Sequence, residues 1–285
     1  MMNDEIRNKE NERRITWVGV AIIILLVALW ARARELNAPD FWSDEAYSLY
    51  HLRSGTTSGL ITSIARNEEA PPLYFILLAA WSALGRGEFF ARAPSALMGV
   101  LAVAASLRLG RCVSGRETGW LAGALMAVLY LAVILSRQIR PYALGLLWIE
   151  MILWLTLRLI VRGNWRDALL WVLVSALGVL TNYLIALTIT SAWLSVLWFG
   201  RRCAMWKHLA AMAVGVGVAA ASLLPMIRAQ AAWSLPTLAW IPPLSLRSIL
   251  QAIDALTLGI GRRQGPLIVA VSIIVSLVAL ILLAS

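Results

Sequence analysis

Between Ile15 and Ala31 the chain runs ITWVGVAIIILLVALWA without a single charge. A helix needs roughly 20 apolar residues to cross ~30 Å of hydrocarbon, and this run of about 17 is the clearest of several near that length. The solvent such a chain folds in is lipid. The composition agrees, since 60% of the 285 residues are hydrophobic and 14% charged, more apolar surface than a water-soluble domain buries. The expected fold class is all-α, a polytopic membrane helix bundle.

A formal net charge of +10 would suit nucleic acid if it formed one patch. Instead the 25 basic residues sit at the ends of apolar runs, where they report topology, and no nucleic acid partner is expected. The charged tail Met1 to Arg14 leads into the first apolar run with no small-residue cleavage pattern after it, so the run is expected to remain as an anchor rather than be removed as a signal peptide. Cys112 and Cys203 have no metal-ligand spacing and fall in loops assigned to the reducing side. Neither a disulfide nor a zinc site is indicated.

Basic clusters recur at Arg7, Lys9, Arg13 and Arg14, at Arg108, Arg111 and Arg116, at Arg158, Arg162 and Arg166, and at Arg201, Arg202 and Lys207. Each is expected to be cytoplasmic by the positive-inside rule. Polar islands at Ser136 to Tyr142 and Thr181 to Tyr183 divide the long apolar stretches between the last three clusters into pairs of spans. Parity permits one crossing between the first span and Arg108, and it is assigned to Ala93 to Leu107. Pro71 to Gly85 then lies along or dips into the membrane face, which leaves a single extracytoplasmic loop over about residues 32–92. A second outer segment, about 228–265, is rich in tryptophan and proline, and Leu267 to Ala284 returns inward. The expectation is about eight spans forming one domain over 1–285.

Chemistry concentrates in the first loop. Asp44 and Glu45 form a carboxylate pair beside Phe41 and Trp42, suited to a general base acting on an amphipathic substrate. The same residues also suit a helix start, with Ser43 as cap and the two acids facing the positive end of the macrodipole. Glu68 and Glu69 stand against the stiff Pro71-Pro72 turn and could face the same cavity as Asp44, with a divalent cation on their oxygens as one option. Arg137 and Arg140, in SRQIRPY, suit a phosphate at headgroup depth, because the guanidinium fork binds such oxygens bidentately; interfacial anchoring is the alternative. Glu150 falls in the middle of an apolar run, where an ionisable group faces a partner or cavity. His51 and His208 are isolated in the sequence and read as packed or surface residues.

In this order the segments FWSDEAYSL, EEAPPLYFILLAAW, FFARAPSALMGVLAV, SRQIRPYAL and TNYLIAL resemble the bacterial relatives of protein O-mannosyltransferases and lipid A aminoarabinose transferases, glycosyltransferases of the GT-C fold that use polyprenyl-phosphate sugars. The resemblance spans about Trp42 to Leu187. It implies juxtamembrane helices in the first outer loop and a catalytic aspartate at Asp44 with Glu45 beside it. It also pairs Arg140 and Tyr142 with an RPYAL-like segment, and Arg92 and Pro94 with the arginine-proline pair that opens the second span. Ala70 and Asn182 stand where the family often has histidines, which puts a metal site in doubt. Typical members continue further, so the chain is expected to be a fragment, a short variant or a form with altered activity.

The function expected from the resemblance is inverting transfer of a sugar from a polyprenyl-phosphate donor to a hydroxyl on a protein, lipid or glycan, at the extracytoplasmic face of a bacterial inner membrane. Asp44 is the expected base, Arg140 and Arg137 with Tyr142 and Arg92 the donor-phosphate residues, and Glu68 and Glu69 the residues near the acceptor or a metal. No cofactor is required, a divalent cation being the one option. The alternative is a non-catalytic protein that binds or transports lipid-linked sugars, or an accessory subunit; it keeps the arginines but has no need of Asp44.

Overall fold

A computed structural model describes residues 2–34, 36–37, 41–199, 205–237 and Ser245, and all regular structure among them is helical. Three helices are long and apolar enough to cross a membrane: Glu10–Ala33 within α1 (Met2–Ala33), α5 (Glu88–Ser114) and α8 (Tyr142–Arg162). Two bent pairs, α6 (Arg116–Val128) with α7 (Tyr130–Ser136) and α11 (Met205–Ser222) with α12 (Leu224–Thr237), turn by 59° and 49° at their breaks. Counting each bent pair as one span gives up to five, so the eight expected are not reached among the described residues. One reason is length. α9 (Trp165–Val179) and α10 (Ile185–Phe199) have 15 residues each, roughly 22 Å at ~1.5 Å per residue. The other is that Leu267 to Ala284, like Arg201, Arg202, Cys203 and most of 228–265, lies outside the described residues. In the Pro71 to Gly85 stretch the helix is α4 (Leu73–Ser82), whose ten residues are too few to cross.

α5 and α6 turn on Gly115 (φ +91°) and approach backbone to backbone. A Cβ on Gly119 would lie 2.7 Å from Leu107 O, and one on Gly123 2.5 Å from the Leu107 side chain. This is the small-xxx-small contact of membrane helices, where close approach replaces the hydrophobic drive that lipid cancels. α1 completes the layer with Ala21, Ile24 and Ala28 against Val103, Leu107 and Ala127. α8, α9, α10 and α11 form a second cluster around fully buried Trp171. Its indole donates to Thr156 Oγ1 at 3.0 Å, and Thr156 in turn donates to Ile152 O. Arg158 pairs with Asp167 at 2.7 Å where α8 gives way to α9.

The loop between α1 and α5 carries α2 (Ser43–His51), α3 (Thr57–Asn67) and α4. It is a packed cap. Leu60, Ile64, Phe75 and Leu78 are buried in one cluster with Ala102 of α5, Ile139, and Leu144 and Leu147 of α8, each large side chain contributing roughly 1.5–3 kcal/mol relative to water. Pro94 inside α5 lacks the N–H that would reach Phe90 O. The carbonyl it leaves free accepts the Trp81 indole N–H at 2.8 Å, and Trp81 stacks on the Phe90 ring at 4.9 Å. The proline thus joins the end of α4 to the start of α5.

Candidate functional site

The start of α2 separates the two neighbouring acids. Trp42, not Ser43, is the cap residue, in extended conformation (φ −82°, ψ 162°), and Glu45 at the third helical position turns back to accept Trp42 N–H at 3.4 Å. The expected Ser43 cap is therefore corrected: a capping-box acid at Glu45 takes the role, since an N3 side chain satisfies an orphan donor as well as a cap oxygen does. Glu45 is buried and holds a bidentate pair with Arg92, whose Nε and Nη2 donate at 2.9 and 2.7 Å. It also accepts Ile139 N–H at 3.0 Å. Arg92 further donates to Leu36 O at 2.9 Å, beneath the Phe41 ring. Burial opposes ionisation of Glu45, but Arg92 and the backbone N–H groups outweigh it and hold the carboxyl below its ordinary range.

Asp44 is different. It is half-buried, and its carboxylate has one described side-chain contact, the Ser43 hydroxyl at 3.5 Å. It lies on the face of α2 that continues through Ser48 and His51, both buried. Of the acidic pair named from the sequence, Glu45 is committed to ion pairing and Asp44, among the described residues, is not.

Glu68 and Arg140 form a second bidentate pair at 2.7 and 3.2 Å. His51 Nε2 lies 3.8 Å from Glu68 Oε2, and His51 Nδ1 is 2.8 Å from Ser63 Oγ. Burial again opposes the Glu68 charge, but the neighbouring His51 imidazole and the hydrogen bonds and charge of Arg140 prevail, so its carboxyl is held low. Arg140, penalised by burial, is raised by the same partner. Glu69 is exposed, and its backbone N–H donates to Glu68 Oε1 at 3.0 Å. Glu68 and Glu69, paired in the sequence, therefore face different environments, and among the described residues no three His, Cys, Asp or Glu side chains converge on one point.

Arg137 donates to Arg34 O at 2.8 Å and, with Trp42, Glu45, Arg92 and Gln138, lines a cavity of about 250 Å³. Tyr142 lies under Arg140, 5.8 Å from ring centre to guanidinium carbon. The same tyrosine borders an apolar groove of about 330 Å³ between α5, the α6–α7 break, α8 and Leu184-Ile185. Tyr142 thus touches both the apolar groove and the Arg140 guanidinium, which is itself paired with Glu68.

Several contacts here carry no signal in the sequence. His51 is fully buried between Ser63 and Glu68, not isolated. Gln230 donates to Ala70 O at 3.2 Å and accepts the Tyr183 hydroxyl at 2.7 Å, clamping the Pro-Pro turn to the TNY segment. Glu150 finds its partner in Ser106, whose hydroxyl donates at 2.9 Å. Each of these contacts joins residues at least 12 apart, so no local pattern announces it.

No curated protein matches the chain. A family model described as dolichyl-phosphate-mannose-protein mannosyltransferase matches residues 69–227, more than half of the 285-residue chain. The matched stretch runs from the Pro-Pro turn through Arg92, SRQIRPY and TNY into the first turn of α12; Asp44, Glu45 and Glu68 precede it. On this match the chain belongs to the dolichyl-phosphate-mannose-protein mannosyltransferase family, membrane glycosyltransferases that draw on a lipid-linked sugar.

Proposed function

We propose that this protein transfers a sugar from a polyprenyl-phosphate carrier to an acceptor hydroxyl, with inversion, at the extracytoplasmic face of a bacterial cytoplasmic membrane. The observation that carries this reading is Tyr142, which lines the apolar groove and has the Arg140 guanidinium carbon 5.8 Å from its ring centre. A polyprenyl phosphate has that polarity, a charged head on an apolar chain. The prenyl tail lies along the groove and the phosphate meets Arg140, with Arg137 and Tyr142 beside it.

Asp44 is the base, because Glu45 and Glu68 are held by arginines. It takes the proton of the acceptor hydroxyl as that oxygen bonds to the anomeric carbon from the face opposite the phosphate. The carbon–oxygen bond to phosphate breaks, and the polyprenyl phosphate leaves with the electron pair. Arg140 stabilises the charge gathering on it. Arg92 acts indirectly, through Glu45. No cofactor enters this scheme.

The test is to supply purified protein with a polyprenyl-phosphate sugar and a hydroxyl acceptor and to identify products by mass spectrometry. Glycosylated acceptor and free polyprenyl phosphate in equal amounts are expected. Donor binding without product, unchanged by Asp44→Asn, would instead establish the binding or transport reading.

A further inference from the structure

We infer that Arg32 is a positioning residue that fixes the break between α6 and α7 and thereby sets the donor groove and the SRQIRPY segment. Arg32 ends the apolar part of α1 and is completely buried. Its Nη1 donates to Ala28 O at 3.2 Å and to Ala127 O at 3.0 Å, and its Nη2 to Met126 O at 3.1 Å. No carboxylate is among its described partners.

The two carbonyls on α6 explain the arrangement. In an unbroken helix Met126 O and Ala127 O would accept from Tyr130 and Leu131, but Leu129 leaves helical geometry (φ −57°, ψ 117°) and the chain bends by 59°. Orphan carbonyls at a helix end in apolar surroundings need donors. A cation at a helix C-terminus also meets the negative end of the macrodipole. Arg32 supplies both from another helix.

Two further contacts tie the same segments. Arg137, one residue past α7, donates to Arg34 O at 2.8 Å, so α1 grips α6 and the residue after α7 grips the end of α1. Gly99 of α5 makes the room: a Cβ there would lie 2.7 Å from Arg32 Nε and 2.5 Å from Ser136 Cβ. Gly99, Met126, Leu129 and Ser136 line the apolar groove. The shape of that groove, and the direction in which α7 delivers Arg137 and Arg140, therefore depend on one buried guanidinium.

The kinetic part of this inference rests on the glycosyltransferase reading, whereas the structural part does not. Spin labels at Glu117 and Leu135, with Cys112 and Cys203 replaced by serine, report the bend by pulsed electron resonance, since a straight helix separates them by about 3 Å more than the bent pair at ~1.5 Å rise per residue. Arg32→Met should lengthen or broaden that distance and raise the donor KM or lower kcat about tenfold or more, since ~1 Å of misplacement can cost ~10²-fold. Arg32→Lys, which keeps the charge without the fork, should recover part of both. Gly99→Ala, which pushes on Arg32 without removing it, should shift the distance in the same direction, and it preserves the test if Arg32→Met does not fold. An unchanged distance in folded Arg32→Met or Gly99→Ala overturns the inference, as does an altered distance with wild-type donor kinetics. If even the wild type transfers no sugar, the glycosyltransferase reading fails while the distances still decide the role of Arg32.

Discussion

Glu68 occupies both terminal nitrogens of Arg140, at 2.7 and 3.2 Å, so the arginine proposed for the donor phosphate has a carboxylate partner in the ligand-free chain. A phosphate must share or displace that carboxylate. Arg140→Ala is expected to lower both donor affinity and turnover, because a contact to the leaving group strengthens as its charge grows. Arg140→Lys should rescue partly, lacking the bidentate fork. Glu68→Gln removes the competitor and should tighten donor binding by about 3–10-fold, because a larger fraction of the chain then holds Arg140 ready for phosphate. Calorimetric donor titrations and single-turnover assays on folded variants check all three, and wild-type kinetics in both Arg140 variants exclude the phosphate role.

Asp44 is the acid of the Asp44-Glu45 pair whose carboxylate no described arginine holds. Asp44→Asn should spare donor binding and reduce transfer by ~10²–10⁴-fold, the usual contribution of general-base catalysis. Residual transfer above about a tenth of wild type, measured with radiolabelled donor, would move the role elsewhere, with Glu69 next in line.

Glu45 and Arg92 are buried together, with side chains 4% and 3% exposed. Removing one partner strands the other, so Glu45→Ala or Arg92→Ala should cost ~3–5 kcal/mol in unfolding free energy. Glu45 also accepts Ile139 N–H, so its loss should loosen the SRQIRPY segment, seen as faster amide exchange at Ile139.

Acid should destabilise the cap. Glu45 and Glu68 ionise below the ordinary value of 4.5 in the folded chain. Their contribution is therefore fully present above that value and is lost as pH falls through the lower folded-state values. Thermal unfolding in detergent should drop as the pH is taken below about 4.5, and Glu45→Gln or Glu68→Gln should flatten the profile.

Chelation is expected to leave transfer intact. Glu68 turns to Arg140 and Glu69 to solvent, so treatment with EDTA, followed by assay with and without added magnesium or manganese, should change turnover less than about twofold; recovery of activity only on metal addition would contradict the scheme.

Much of the site is legible in the sequence, and the reasons differ by residue. The membrane character follows from run length and lack of charge, because the cost of charge in hydrocarbon falls on each residue separately and so is written locally. The start of the short helix at Leu73–Ser82 follows from the double proline before it. Arg140, Glu68, Arg92 and Glu45 all stand out as candidates, because charge in an otherwise apolar chain is rare.

What the sequence determined by itself is therefore the solvent, the helical class and the short list of polar residues, each set by local composition and by the ~30 Å thickness of hydrocarbon. What only the tertiary structure decided is the pairing. Glu45 joins Arg92 across 47 positions and Glu68 joins Arg140 across 72, which leaves Asp44, and not its neighbour, without an arginine partner among the described residues. The break between α6 and α7 was also a tertiary matter, because a polar contact from another helix allows a run to break where its own residues would continue it. Arg32 is such a contact. It donates to carbonyls 94 and 95 residues away, and hydrogen bonds of that range follow how helices pack, which no window of sequence records.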